Sequence, residues 1–325
     1  MSGSTERKNY SPGKLPEFLD LVAKNALARW PAASCLLTSD VAWRLPGSRP
    51  EKNLAFWYTD NNIVAYAWFQ ANGPCIIDQC AHEPWDDSLG RDMLEWLEAC
   101  RLAIKPLVPW LIELKSMAEW EQALIEGQHT AEGTEKILQV SAFDLDTRKK
   151  SFLEAAGYVA TQNFQYYLTR SLEGDFPASN PGSNLNIRHV SAVDIDARVA
   201  VHKASWFQSS YNREQYLALR EIPVYEPELD LVVETATGEF VSYCLGWVDR
   251  ATQVGSFEPV GTLPAYRKQG LGRAVNDEGL RRMKDLGMRN AKIGTAGFNN
   301  RAYALYRSCG FDLVDKDRTY IKKLA

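Results

Sequence analysis

Three blocks of this 325-residue chain occur twice, in the same order. Ile63-Val-Ala-Tyr66-Ala returns as Phe240-Val-Ser-Tyr243-Cys, and Ile77-Asp78 through Pro84 returns as Phe257-Glu258 through Pro264. Phe152-Leu-Glu-Ala-Ala-Gly157-Tyr158 returns as Leu305-Tyr-Arg-Ser-Cys-Gly310-Phe311. The register of the last block also aligns Arg148 with Arg301 and Tyr167 with Tyr320. One such match is common by chance, but three in sequence point to a duplication. The offset drifts between blocks, so residues have been inserted, mainly around Ile125 to Glu135.

A duplicated chain of this length is expected to form two domains. The stretch Leu172 to Leu185 is rich in Gly, Pro, Ser and Asn and has little to bury, so it reads as the connection. The expected division is 1–172, a linker at 173–185, and 186–325. In the second half, Leu231 to Thr235, Phe240 to Trp247, Gly255 to Thr262 and Ala291 to Thr295 have strand character. Thr237-Gly238 makes a hairpin turn between the first two. Leu271 to Leu286 carries an apolar stripe at helical spacing. Asn300 to Cys309 reads as a second helix, closed by Gly310 just past its end.

Charge separates the halves. Residues from Ala251 onward carry a surplus of +7, leaving −11 for the rest of a chain whose formal charge is −4. A basic stretch on an acidic protein suggests an anionic ligand there, or else a solvated helix face. The overall balance gives no reason to expect nucleic acid. No run approaches the roughly 20 apolar residues of a membrane span. Met1 to Lys14 is polar and turn-rich without an apolar signal core, and reads as a mobile tail on a cytoplasmic protein. Six cysteines without a C-x-x-C pair and four scattered histidines argue against a metal site; the cysteines read as small buried hydrophobes.

The informative stretch is Glu258-Pro-Val-Gly-Thr-Leu-Pro264-Ala-Tyr-Arg267-Lys-Gln-Gly270-Leu-Gly272-Arg273. A strand runs into a glycine-bearing turn that opens a helix. The first amides of a helix have no intrahelical acceptor and form an anion site backed by the helix dipole. Gly270 and Gly272 let an anion approach the backbone, and Lys268 and Arg273 add positive charge. A P-loop would need Lys-Ser/Thr after its last glycine, where Arg273-Ala274 stands. A dinucleotide fingerprint would need a third glycine, where Val275 stands.

Arg267-x-x-Gly270-x-Gly272 resembles the acyl-CoA pyrophosphate loop of the GNAT N-acetyltransferase superfamily. Asn299-x-x-Ala302-x-x-Leu305-Tyr306-x-x-x-Gly310-Phe311 is similar to its second signature in residue type and spacing. The resemblance covers Ile187 to Leu324, and the first half joins it through the repeat. It implies an α/β chain of α+β type with mixed sheets, built as two tandem GNAT-like acyl-CoA N-acyltransferase domains. Acetyl-CoA is the implied cosubstrate, with no metal. The backbone of Val260, Gly261 and Thr262 is then expected to pair with the pantetheine arm and hold the acetyl carbonyl. Arg267, Lys268, Gln269, Gly270, Leu271, Gly272 and Arg273 form the implied pyrophosphate loop, and Asn299 the implied contact to the CoA arm. Tyr306 is expected near the thioester sulfur.

Acetyl transfer needs a deprotonated amine, donors for the oxyanion, and a proton for the departing thiolate. Tyr306, a phenol of ordinary pKa about 10, is the candidate acid. Glu258 is the candidate base, since two-residue alternation would put it on one strand face with Val260, and many members of the resembled superfamily place a Glu base at about this strand. GNAT proteins commonly build their acceptor site after the first helical stretch, which nominates Trp206, Tyr211 and Tyr216 as substrate contacts. The expected acceptor is a primary amine of a small molecule or peptide, on a monomer or homodimer. The alternative is an acyl-CoA-binding regulatory or scaffold protein without turnover.

The first copy departs from this pattern. Its matching loop, Pro84-Trp-Asp-Asp-Ser-Leu-Gly90, is two residues shorter, with Asp86 and Asp87 where cations are wanted. Phe152-Leu153 replaces the Leu-Tyr pair. The first domain is expected to keep the fold without binding acetyl-CoA, leaving Asp78, the counterpart of Glu258, vestigial. Eight of the ten tryptophans fall between Trp30 and Trp120, which reads as an aromatic core or, alternatively, a cleft lining.

Overall fold

A computed structural model places the chain, and residues 5–31, 36–105, 114–126, 135–174, 176, 179 and 181–325 are described. They divide into two compact units. The first comprises 1–167 with 295–299 and 314–325; the second comprises 168–294 and 300–313.

The first unit opens with β1 (Glu6–Asn9), α1 (Leu15–Arg29), α2 (Thr38–Arg44) and α3 (Pro50–Asn53). Strands β2 (Leu54–Thr59), β3 (Asn62–Trp68) and β4 (Ile76–Gln79) follow, and β1 to β4 form one antiparallel sheet in chain order. The expected mobile tail is therefore corrected in part: Glu6–Asn9 pairs in register with Tyr58–Ala55, although Met1 to Ser4 lie outside the described residues. Period-two alternation covers both faces of this sheet. Phe56, Tyr58, Tyr66 and Trp68 pack with Phe18 and Val22 of α1 on one side. Ala55, Trp57, Ala65 and Ala67 pack with Met93, Trp96 and Leu97 on the other. Trp57, Trp68 and Trp96 are thus core side chains.

Next come α4 (Asp87–Leu102), α5 (Met117–Ile125), β5 (Lys136–Phe143), α6 (Thr147–Ala155) and β6 (Val159–Ser171). The insertion around Ile125 to Glu135 falls mostly outside the described residues.

The second unit repeats the order with β7 (Leu185–His189), α7 (Ile195–Ser205), α8 (Arg213–Arg220), β8 (Tyr225–Thr235), β9 (Phe240–Asp249) and β10 (Val254–Thr262). Then follow α9 (Leu271–Asp285), β11 (Asn290–Ala296), α10 (Asn300–Ser308) and β12 (Asp312–Leu324). Strands β7 to β10 are antiparallel neighbours in chain order, as β1 to β4 are, while β11 runs parallel to β10. Antiparallel hairpins with one parallel crossover make the sheet mixed. Gly238 turns β8 into β9 at φ 84°, and Gly310 follows α10 at φ 79°, both in the left-handed region that suits glycine.

The compact units depart from the linear split at 172 and 186 at the C-terminal strand. Residues 317–324 of β12 pair antiparallel with Phe143–Lys136 of β5, and Tyr320 enters the first unit's core. Eight consecutive register pairs tie residues 317–324 to β5 within the first unit.

Candidate acyl-transfer site

Strand β10 organises the site. Its parallel register with β11 runs from Val254↔Asn290 to Ser256↔Lys292, while its pairing with β9 continues to Thr262↔Ser242. Past Ser256 the backbone of Val260 to Thr262 is thus flanked by β9 on one side. Ser242 Oγ fixes this end, lying 3.1 Å from Gly261 O and 2.8 Å from Thr262 Oγ1.

A bulge interrupts β10 between Phe257 and Val260. Phe257 faces Gly246 and Val260 faces Cys244, so Glu258 and Pro259 share the single place opposite Leu245. Simple alternation of Glu258 with Val260 is therefore corrected. An extra residue bends the strand and re-aims a side chain, and Glu258 falls on the side of Leu245 and Tyr243. Glu258 is exposed, its backbone carbonyl accepting from Trp247 Nε1 at 2.8 Å. Its negative charge raises the pKa of two phenols, Tyr306 and Tyr243, in each case second to other influences led by burial. The fold has thus brought Glu258 near Tyr306, 48 residues away in sequence. Tyr306 is buried on α10, with its ring 6.4 Å from Phe311. Burial, then Glu258, pushes its phenol well above the ordinary range, so it stays protonated.

The loop after β10 ends at Gly270, the N-cap of α9, at φ 82°. A Cβ there would meet nothing within 4 Å, so the space in front of the helix is open. Ala274 N donates to Gly270 O at 2.9 Å across the cap, so the amides of Leu271 to Arg273 precede the intrahelical ladder. No side chain caps them, because Gly270 has none. Lys268 stands exposed at φ 63°, and Arg273 is 60% exposed beside Asp277. Gln269 donates back to Ala265 O at 3.1 Å. Gly272 packs against Leu305 of α10, where a Cβ would come within 3.2 Å. Uncapped amides, open space and flanking cations fit a diphosphate. Arg267 is engaged differently: Nε lies 3.1 Å from Thr262 O and Nη2 3.1 Å from Ser205 O. Asn299 belongs to the 295–299 segment that groups with the first unit, its N–H donating to Ala296 O at 2.8 Å.

Of the nominated acceptor residues, Trp206 and Tyr211 surround His202. The Tyr211 ring lies 4.2 Å from the imidazole, and Trp206 Nε1 donates to Tyr243 Oη at 2.7 Å. Tyr216 is corrected: it is fully buried, its hydroxyl 2.6 Å from Asp230 Oδ2. Asp230 also takes Arg198 Nε at 2.7 Å and Tyr225 Oη at 3.1 Å, so the Tyr216 hydroxyl is spent on a buried carboxylate whose charge Arg198 balances. Sequence reasoning missed Tyr243 and His202. Tyr243 was visible in the repeat, as the counterpart of Tyr66; His202, one turn before Trp206, carried no signal.

The first copy answers each feature with a substitute. Asp86 caps α4, its Oδ1 accepting from Ser88 N at 2.7 Å and Leu89 N at 3.3 Å, so the amides that would hold a diphosphate carry a carboxylate. Lys149 is buried, with Nζ 2.9 Å from Ile77 O on β4. Phe152 fills the space against Gly90, where a Cβ would lie 2.6 Å from its ring. Asp78 is closed off by Arg29 Nη1 at 2.6 Å and Asn25 Nδ2 at 2.9 Å.

Residues 198–311 match the model of the acetyltransferase (GNAT) family. A mycothiol acetyltransferase of Pseudarthrobacter chlorophenolicus is 26% identical over 175 residues, which are 50% of this chain and 54% of that protein. That of Propionibacterium freudenreichii is 26% identical over 42% of this chain and 46% of its own length. The chain spans about half the length of the curated relatives it matches. Among solved structures, a GCN5-related N-acetyltransferase of Sphaerobacter thermophilus superposes with a TM-score of 0.67 at 16% identity, covering 98% of this chain and 95% of that one. A tandem GNAT protein from the clavulanic acid biosynthesis pathway does so with 0.62 at 13% identity, covering 98% of both. These last two establish the shared fold.

Proposed function

We propose that this chain, a tandem-GNAT fold with a GNAT-family domain at 198–311, transfers an acetyl group from acetyl-CoA to a primary amine at its second unit. One observation carries the reading: an exposed Glu258 and a buried, protonated Tyr306 lie within electrostatic reach of each other beside the free end of β10. In the proposed reaction Glu258 takes the proton of the incoming ammonium, directly or through water. Backbone groups of Val260 to Thr262 hold the pantetheine arm and the carbonyl oxygen as it gains charge. The amine nitrogen bonds to the thioester carbon, the C–S bond breaks, and Tyr306 gives its proton to the departing thiolate; the second proton lost by the nitrogen passes through water to restore the phenol. The amides of Gly270 to Arg273, with Lys268, hold the diphosphate. Trp206 and Tyr211 form the acceptor wall, with Tyr243 behind them. The acceptor is a small-molecule or peptide amine. The mycothiol acetyltransferase likeness supports a small amine, but the match covers half of those proteins.

The test is release of free thiol from acetyl-CoA across a panel of amines, with Glu258→Gln in parallel. Turnover on at least one amine, lowered on the order of a hundredfold or more in the variant, supports the reading. Calorimetric binding of acetyl-CoA without turnover on any amine would favour a binding or scaffold role instead.

A further inference from the structure

We propose that Arg267, which the motif would place on the pyrophosphate, is a positioning residue that fixes the acceptor segment 206–211 to the cofactor strand. The inference rests on the reading of the second unit as an acyl-CoA site. The guanidinium spans two backbone carbonyls, Thr262 O and Ser205 O, each at 3.1 Å. Thr262 is the last residue of β10, and Ser205 is the last of α7. The final carbonyls of a helix have no intrahelical donor, and a cation there also meets the negative end of the helix dipole. Arg267 therefore satisfies the terminus from which Trp206 departs.

Other contacts pin the same turn, and Ser205 Oγ donates to Val201 O at 2.7 Å. Ser205 packs so closely on Gly261 that a Cβ on Gly261 would lie 2.9 Å from Ser205 Cβ. Trp206 is held by its hydrogen bond to Tyr243. Trp206 N–H also donates to His202 O and Ser209 N–H to Trp206 O, each at 3.3 Å, but none of these contacts holds the Ser205 carbonyl. Arg267 does. Its planar fork reaches two acceptors at once, a geometry that the single ammonium of lysine does not reproduce. The loop cations Lys268 and Arg273 stay with the anion-facing helix start. The motif's three cations thus divide: two face the diphosphate, and one sets where the acceptor lies relative to the acyl group. A displacement of about 1 Å between reacting groups is enough to cost rate substantially.

The experiment compares the unsubstituted 325-residue chain with Arg267→Gln and Arg267→Lys. CoA affinity is measured by calorimetry, and amide hydrogen exchange is followed over residues 203–212 with and without CoA. The expected result is a CoA Kd within about threefold of the unsubstituted chain. Exchange at 206–211 should rise about tenfold or more in both variants, lysine failing to rescue. With an amine found active, the loss should appear in the acceptor KM before kcat. Unchanged exchange at 206–211 overturns the proposal, and so does a CoA affinity lowered tenfold or more, which would make Arg267 a diphosphate ligand. Absence of CoA binding to the unsubstituted chain would instead sink the acyl-CoA reading, while the exchange measurement still tests the tether.

Discussion

The hydroxyl of Tyr243 on β9 lies 2.9 Å from Nδ1 of His202 on α7. The same oxygen accepts from Trp206 Nε1, and an indole N–H only donates. Tyr243 Oη can donate its proton to Nδ1 or accept from Nδ1–H with its second lone pair, so the contact serves either neutral tautomer of His202. Beneath the pair, Arg198 stacks on the Tyr243 ring at 4.0 Å while pairing with Asp230. Burial, and then the Arg198 charge, lower the His202 pKa to about 4.

This arrangement has a pH signature. The native imidazole stays neutral between its unfolded value of 6.5 and about 4, while the unfolded chain takes up a proton. The contribution of His202 to stability is therefore complete above about pH 6.5 and is lost as pH falls toward 4. Denaturant midpoints at pH 7 and pH 4.5 should separate more for the unsubstituted chain than for His202→Gln. Equal separations would show that His202 is not held neutral.

Gly261→Ala should disturb the site from within the strand. The added Cβ would lie 2.5 Å from Tyr243 Cε1 and 2.9 Å from Ser205 Cβ, both in packed positions. Overpacking of this kind costs roughly 1–3 kcal/mol. Thermal unfolding should show a lower Tm, and turnover should fall further than CoA binding. A variant as stable as the parent would mean that Tyr243 moves aside freely.

Tyr306→Phe should reduce kcat on the order of tenfold to a hundredfold or more while leaving CoA affinity nearly intact. Burial and then Glu258 raise the phenol above its usual value of 10, so its deprotonation should impose no alkaline limb on kcat below about pH 10. A large loss of CoA affinity would assign Tyr306 to binding instead of proton donation.

Acetyl-CoA should titrate to one site per chain. In the first unit, Asp86 already occupies the α4 amides and Lys149 already occupies Ile77 O. Gly270→Glu should therefore remove all of the heat, since the second unit supplies the open helix start. A residual stoichiometry of one in that variant would locate binding in the first unit.

Much of the fold was legible because duplication constrains topology. The blocks around Tyr66 and Tyr243 fall on matching strands, β3 and β9, each third in an antiparallel run, β1 to β4 and β7 to β10. The glycine-bearing turn was legible as a helix start because Gly270 at φ 82° does what only glycine does easily. The loss of Arg and Gly in the first copy was also visible. That Asp86 itself caps α4 in their place was not.

Other features depended on packing. Period-two alternation across Glu258 failed because a bulge inserts one residue opposite Leu245, and bulges leave no mark in hydropathy. Tyr216 was nominated as a substrate contact, but Asp230, held against Arg198, takes its hydroxyl in the core. Nothing in the chain order of Arg267 and Ser205, 62 residues apart, indicates that one guanidinium links them.

The sequence alone determined that this chain carries two copies of one strand–helix pattern and that the second copy keeps a glycine-bearing turn at a helix start. Those properties are local, written in periodicity, glycine placement and repeated blocks. The tertiary structure decided the rest: that Glu258 lies near Tyr306, that His202 is neutral against Tyr243, and that the C-terminal strand serves the first unit. Each depends on which surfaces are buried together, and burial sets both the energy of a charge and the identity of its neighbours.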